Sequence, residues 1–237
     1  MRILTANSKL RRLPSLADPR QALYLDGIRY AVEMFDVAYE RLANELLRCS
    51  KQKSVETSFP SIFLDAWSAV DSLHRLREIV GQTPHFKKTF PSLVVFMKST
   101  AQVEDMRHFA QHLRRELDAL ASTKRPVHGV LVWIEVVDFQ AGRFRSHAMA
   151  SGRVVEGSLS KFALPMGRLF RWSIDHIELH VRDGLEFSLS EGREEIAKLV
   201  AAIESSIPNE WADAPRLGAD LHVALDLATA TTADPAE

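Results

Sequence analysis

Apolar residues recur at spacings of three and four through much of the first half of the chain. After Asp18-Pro19, which is typical of a helix N-cap followed by proline in the first turn, this spacing predicts a long helix that ends near Cys49. A second helix is predicted from about Ser61 to Val80, before Gly81 ends it. A third helical region is predicted over residues 92–122, and β-branched and polar residues at Ser99-Thr100 mark the place where it would split. Three amphipathic helices cannot each bury a face alone, so they should pack as an antiparallel bundle.

The pattern changes after the polar junction at residues 122–126. Residues 127–137 are rich in apolar and β-branched side chains, and residues 143–156 alternate roughly between polar and apolar. Residues 175–190 predict two short strands around the turn dipeptide Asp183-Gly184. Helical spacing then returns over residues 191–207.

The chain is therefore predicted to be an α+β protein in four parts. These parts are an N-terminal arm (1–17), an antiparallel helical bundle (18–125), a small, mainly antiparallel β-sheet with a closing helix (126–207) and an acidic, partly disordered tail (208–237). Trp67 and Trp133 lie in apolar stretches and are predicted core residues. His176 and His180 alternate with apolar residues and are predicted to lie on the solvent face of a strand.

Composition favours an intracellular globular protein. Hydrophobic residues make up 46% of the chain, which is enough to build a core. No apolar run approaches the ~20 residues that span a bilayer, and the N-terminus has no apolar segment typical of a secretion signal. Because Cys49 is the single cysteine, an internal disulfide is excluded and a reducing, cytoplasmic location is expected.

Charge is distributed unevenly along a chain whose net charge is −1. Residues 1–126 carry a balance of +6, residues 127–173 carry +3 and residues 174–237 carry −10. A positively charged N-terminal part of the chain would suit a partner that bears phosphate. The alternative is that the acidic residues simply solvate the closing helix and the tail.

The helix predicted around residues 103–120 carries two histidines away from its apolar face. At about 100° per residue, His108 falls nearly opposite the apolar stripe, His112 lies about 130° from its centre, and Arg107 lies at its edge. The stripe is close to a heptad seam and consists of Val103, Met106, Ala110, Leu113, Leu117 and Leu120. Both histidines are therefore predicted to face water or a second surface.

This helix resembles the signature of the HEPN family, whose members are helical bundles that bind or cleave RNA. The family motif is an arginine, a polar residue, three further residues and a histidine on a late helix, and Arg107 to His112 reads Arg-His-Phe-Ala-Gln-His. His108 stands in the polar slot, where asparagine is commoner. The preceding helix, which carries Asp71, is similar to the family's earlier helix. The resemblance covers about residues 18–122 and does not extend to the β-rich half.

The resemblance implies metal-independent cleavage of RNA by a homodimer, without a cofactor. The ribose 2′-hydroxyl would attack its own phosphodiester and leave a cyclic phosphate. In that scheme His112 is the acid/base candidate and Arg107 stabilises charge on the phosphate. His108 would support this chemistry, and Asp71 would orient one of these side chains. The residue types suit such roles, because histidine titrates near neutral pH and the arginine fork fits phosphate oxygens.

Two features of the motif bear on this interpretation. Arg107 and His112 are separated by about 140° around a regular helix, so two copies meeting across a twofold axis would bring them together more easily than one chain. Arg114 and Arg115 follow on the same helix and are candidates for phosphate or RNA contacts. The resulting hypothesis is a toxin-like or defence ribonuclease, for which a neutralising protein partner is also expected.

Three alternatives stand beside the ribonuclease hypothesis. One is a non-catalytic module that binds RNA or a nucleotide, and another is a dimeric protein-interaction module. The third is a metal site at Glu104, His108 and His112, which share one helical face. Because Phe109 stands where a zinc protease needs a glutamate base, no metal is predicted there.

Overall fold

The structure is a computed structural model that describes residues 2–15, 17–51, 59–83, 86, 90–152, 170–182, 184–212 and 220–224. The described helices are α1 (Pro19–Lys51), α2 (Phe59–Gln82), α3 (Pro91–Ser99), α4 (Gln102–Gln111), α5 (Leu113–Ser122) and α6 (Leu189–Ser206). The strands are β1 (Val130–Asp138), β2 (Arg143–Ala150), β3 (Ile174–Arg182) and β4 (Leu185–Ser188). Short 3-10 helices lie at Lys9–Arg11 and Asn209–Ala212. The predicted α+β class is confirmed.

Helices α1 and α2 form the long hairpin on which the rest of the molecule packs. The N-cap predicted at Asp18 is present, since its Oδ1 accepts a hydrogen bond from the Gln21 amide at 2.9 Å. The two helices contact each other extensively. Residues 52–58 reach at most ~25 Å, whereas the 33 residues of α1 span ~50 Å. The two helices must therefore run antiparallel, as predicted.

The third helical region consists of three helices rather than one or two. The predicted break is present, because α3 ends at Ser99 and α4 begins at Gln102. A second break, which the periodicity did not predict, lies at His112, whose backbone has φ −110° and ψ 26°. Here the His112 amide donates to the carbonyl of His108 at 3.0 Å, so His112 closes α4 and precedes α5.

The second break makes part of the predicted apolar stripe wrong. Val103 and Met106 are buried as predicted, and so is Leu120. In α4 it is Phe109, at 2% exposure, that enters the core, while Ala110 is exposed. Beyond the break Leu113 is only partly buried, and Leu117 is 43% exposed. A stripe drawn through one continuous helix fails because the chain leaves α4 one residue before the motif ends.

The β-rich region forms one antiparallel sheet in the order β2-β1-β3-β4. Side chains of β1 alternate between the sheet faces, so Leu131 and Trp133 join the core shared with the helices. The opposite face carries a smaller apolar cluster built on Val130, Val132 and Ile134. The predicted core position of Trp133 is confirmed by its 2% exposure. The predicted extension of the second strand over residues 153–156 lies outside the described residues.

The prediction for His176 is wrong, because this side chain is buried. Between Val132 and Ile134 of β1, the pairing with β3 jumps from Glu178 to Asp175, so two residues of β3 oppose one of β1. His176 lies in this bulge with φ +50°. The bulge interrupts the alternation of side chains, and the period of two used for the prediction no longer applies.

One apolar core joins the helical bundle to the sheet and α6. Gly192 of α6 illustrates the close packing: a Cβ there would lie 2.9 Å from the Phe187 ring of β4 and 3.2 Å from Leu73 of α2. The N-terminal arm also contributes, since Leu4 and Leu10 are buried in the same core. The predicted boundary at residues 125–126 therefore separates two kinds of secondary structure that share a core.

Only residues 208–212 and 220–224 of the predicted acidic tail are described, and the rest of it lies outside the described residues. Asp220 accepts hydrogen bonds from Arg29 and Tyr30 of α1, so this part of the tail contacts the first helix. No helix in the described ranges combines the length and apolar character required to cross a bilayer.

Candidate functional site

The motif arginine is held by a carboxylate on the neighbouring helix. Arg107 of α4 donates its Nε–H to Oδ1 of Asp71 on α2 at 3.0 Å. Arg75, one turn further along α2, donates to Oδ2 of the same carboxylate at 2.7 Å. Partial desolvation alone would raise the pKa of Asp71, but the hydrogen bonds from the two arginines outweigh it, and the net pKa lies below its ordinary value. Asp71 is thus an ionised acceptor that positions Arg107.

The geometry leaves the outer part of the Arg107 guanidinium accessible. The side chain is 28% exposed. Among the described residues, its two terminal amino groups have no hydrogen-bond or ion-pair partner. These two groups form one donor edge of the planar guanidinium, and such an edge matches a pair of phosphate or carboxylate oxygens.

A groove of about 320 Å³ lies beside this ion pair, between α2, α4 and the turn that precedes β1. Most of its wall is apolar. Its lining consists of Trp67, Val70, Asp71, Arg107, Phe109, Ala110, Gln111, Leu113, Val127 and His128. The motif arginine therefore stands at the wall of a mainly apolar groove.

The two motif histidines form a separate pair. The His108 and His112 rings have centroids 4.4 Å apart and are tilted by 55°. His108 is exposed and His112 is partly buried, so neither enters the core, as predicted. Neither belongs to the lining of the groove that contains Arg107. Within one chain, the structure brings Arg107 together with Asp71 and His108 together with His112, but it does not bring either histidine into the groove.

Arg114 and Arg115 lie on the exposed side of α5. Neither lines the groove, and within the described part of the chain neither has an ion-pair partner. Glu116 on the same helix instead pairs with Arg182 of β3 at 2.6 Å. The two arginines are thus accessible cations outside the groove.

The contacts of Glu104 do not support a metal site at Glu104, His108 and His112. Glu104 pairs with Arg77 at 2.6 Å, and this hydrogen bond lowers the pKa of the Glu104 carboxyl. In the described ranges, no group of three or more His, Cys, Asp or Glu side chains has an arrangement suited to a metal ion.

Sequence reasoning missed several residues of this region. Trp67 was a predicted core residue, yet it is only partly buried and lines the groove. His74 lies one turn beyond Asp71, where desolvation and the nearby Arg107 charge lower its pKa although Glu78 opposes them. Trp67, Val70 and Asp71 follow helical spacing on α2, so the face that carries Asp71 could have been extended to Trp67 from the sequence alone.

No protein-family model, curated protein or solved structure matches this chain. The HEPN resemblance therefore stays a prediction that rests on the motif.

Proposed function

We propose that this protein is a HEPN-like RNA-binding protein in which Arg107 binds a phosphate of the RNA backbone. The observation that carries the proposal is the Asp71–Arg107 contact. Asp71 holds Nε at 3.0 Å and thereby orients the guanidinium beside the groove. An arginine ordered in this way loses less conformational entropy when it binds an anion than a freely moving one.

The surroundings of Arg107 support a polyanionic ligand over an isolated anion. Arg114 and Arg115 are exposed cations on α5, and residues 1–126 carry a positive balance of 6. Successive phosphates of a strand can engage several such cations. A cytoplasmic location, where RNA is abundant, belongs to the same proposal.

Binding is tested by measuring the affinity of a labelled single-stranded RNA by fluorescence anisotropy at several salt concentrations. Arg107→Ala should weaken binding about tenfold or more, since a charge-assisted hydrogen bond contributes ~1.5–3 kcal/mol. It should also reduce the slope of log K against log salt by about 0.7. Arg107→Lys should recover only part of the affinity, because lysine keeps the charge but lacks the fork.

Arg75→Ala is the matched control, since it removes an arginine from the same Asp71 carboxylate without altering the groove lining. We expect less than about a threefold change for this variant. Equal affinity of wild type and Arg107→Ala would overturn the proposal.

A second candidate function is metal-independent endoribonuclease activity in a homodimer. The observation that favours it is the accessible His108–His112 pair, which lies outside the groove of its own chain. A phosphate bound to Arg107 would have no histidine of the same chain in the groove, and a second copy of the chain would supply one. The 2′-oxygen would then bond to phosphorus as the bond to the 5′-oxygen breaks. One imidazole would take the 2′-proton, and another would protonate the leaving oxygen. A neutralising protein partner would accompany such an activity.

Incubation of the protein with total RNA, with and without EDTA, tests the cleavage. Wild type should cleave in both conditions, and His112→Ala should lose cleavage while it keeps RNA binding. Gel filtration with light scattering should show the mass of a dimer. An absence of cleavage by a dimeric wild-type protein would rule out this second function and leave the RNA-binding proposal standing.

A further inference from the structure

We infer that the groove beside Arg107 is a subsite for one unstacked RNA base, with the Trp67 indole as its stacking platform. The inference rests on the proposed RNA-binding function, and it names the part of the nucleotide that the groove receives. The phosphate of that nucleotide, or of its neighbour, is placed on Arg107.

The aromatic wall of the groove consists of two packed rings. The Trp67 and Phe109 rings lie nearly parallel, with an interplanar angle of 12° and centroids 6.4 Å apart. The indole N–H donates to the His128 carbonyl at 3.2 Å, which fixes the ring from a second side. Phe109 is 2% exposed, whereas Trp67 is only partly buried. The aromatic surface that a ligand can reach therefore belongs mainly to Trp67, and the buried Phe109 ring packs against it.

The size of the groove and its polar groups suit a nucleotide. Its volume of about 320 Å³ is near the lower end of the ~300–1,000 Å³ typical of ligand pockets. Gln111, the last residue of α4, places an exposed primary amide in the lining, and this group can both donate to and accept from the edge of a base. Arg107 supplies the cationic edge for a phosphate.

An apolar side chain from a protein partner is the rival occupant. It would use Trp67, Leu113 and Val127, which together form an apolar surface. It would leave the oriented Arg107 guanidinium without a counter-anion beyond the Asp71 that it already contacts. A base joined to a phosphate uses both halves of the groove, and for this reason we assign a nucleotide.

Stacking on one aromatic ring tolerates every base, because each base offers a π face. The subsite should therefore distinguish strands with and without a base more strongly than it distinguishes sequences. A strand that carries an abasic site at one position isolates this difference, since it keeps the phosphates and the ribose.

The test compares a short single-stranded RNA in which every position carries a base with an abasic strand of the same length. The length is chosen so that one protein binds per strand, and affinity is measured by anisotropy. Wild type should bind the complete strand about tenfold more tightly. Trp67→Leu should lose this preference, and Trp67→Phe should keep most of it, because phenylalanine retains a ring but no N–H.

Trp172→Phe is the matched control, as Trp172 is 43% exposed and outside the groove lining. Circular dichroism and thermal melting confirm that each variant is folded.

The outcomes separate this inference from the proposal on which it rests. If wild type binds both strands equally, and Arg107→Ala weakens both, RNA binding stands and the base subsite is overturned. If Trp67→Leu and Trp67→Phe both keep the full preference, the base stacks elsewhere and the assignment of Trp67 fails. If neither strand binds, the RNA-binding function and the subsite are both overturned, and the apolar partner becomes the better explanation of the groove.

Discussion

Replacement of Arg77 by methionine tests how the chain holds α4, and with it Arg107, against α2. Arg77 is 5% exposed. Its Nη1 donates to the Met97 carbonyl at 2.7 Å and to the Thr100 Oγ1 at 2.6 Å, and its Nη2 contacts Glu104 at 2.6 Å. The side chain thus fastens the junction of α3 and α4 to α2. Methionine keeps much of the apolar stem and removes all three contacts.

The expected loss of stability follows from the burial of each contact. The two bonds from Nη1 end on the α3–α4 junction, where Thr100 is fully buried, and charge-assisted bonds of this kind contribute ~1.5–3 kcal/mol each. The bond to Glu104 adds little, because that carboxylate is 60% exposed. Removal of a desolvated cation, whose Nε has no partner among the described residues, recovers part of the loss. We expect a net cost of about 1.5–3 kcal/mol, since the recovery offsets roughly half of the first contribution.

Thermal and urea unfolding measure this difference. For a chain of this size, about 1.5–3 kcal/mol corresponds to a fall in Tm of about 3–12 °C. Arg75→Met is the matched control on the same helix, because Arg75 is 54% exposed and should cost no more than about 0.5 kcal/mol. If the two variants lost the same stability, Arg77 would not fasten α4, and the reasoning about the α3–α4 junction would be refuted.

Three further predictions concern charge and packing. The pKa of Asp71 is lowered in the fold, so the ionised carboxylate stabilises the protein above pH ~4. This contribution is lost as the pH falls through the lower folded pKa. Asp71→Asn should therefore show a weaker dependence of Tm on pH in melts from pH 5 to 2.5. Burial raises the pKa of Tyr39 from 10.0 to about 12, so its contribution is complete below pH 10 and is lost as the pH rises towards 12. Tyr39→Phe should flatten this alkaline dependence, measured by urea unfolding across that range, and an unchanged slope would contradict the assignment. Gly192→Ala should lower stability by about 1–3 kcal/mol, because its Cβ would meet the Phe187 ring at 2.9 Å. Gly81→Ala in α2, with open space around its Cβ, should instead raise Tm slightly, and a loss there would contradict the packing argument.

Much of the secondary structure could be predicted because it depends on local periodicity and capping. The Asp18-Pro19 start of α1, the break after Ser99 and the return of helix at α6 each follow from residues close together in the chain. The antiparallel pairs β1–β2 and β3–β4 followed from strand-like segments joined by short turns, whereas the β1–β3 pairing that completes the sheet joins segments far apart in the chain. For the turn dipeptide, Gly184 has φ +75°, and Asp183 lies outside the described residues.

The break at His112 could not be predicted in the same way. A continuous helix would satisfy local propensity through residues 103–120, yet α4, which packs against α2 and β4, ends at Gln111 and buries Phe109. The apolar spacing alone does not distinguish these arrangements, because Phe109 and Ala110 are neighbours and either could begin the next turn of the stripe.

By itself, the sequence determined where most of the helices and strands lie and that His108 and His112 stay out of the core, because helical and strand periodicities are properties of neighbouring residues. Only the tertiary structure decided which residues surround Arg107. Asp71 lies 36 residues away in the chain, and Trp67 becomes a wall of the groove because α2, α4 and the turn before β1 pack together. Contacts between residues so far apart depend on how the elements pack, and the local pattern of apolar and polar residues does not specify that packing.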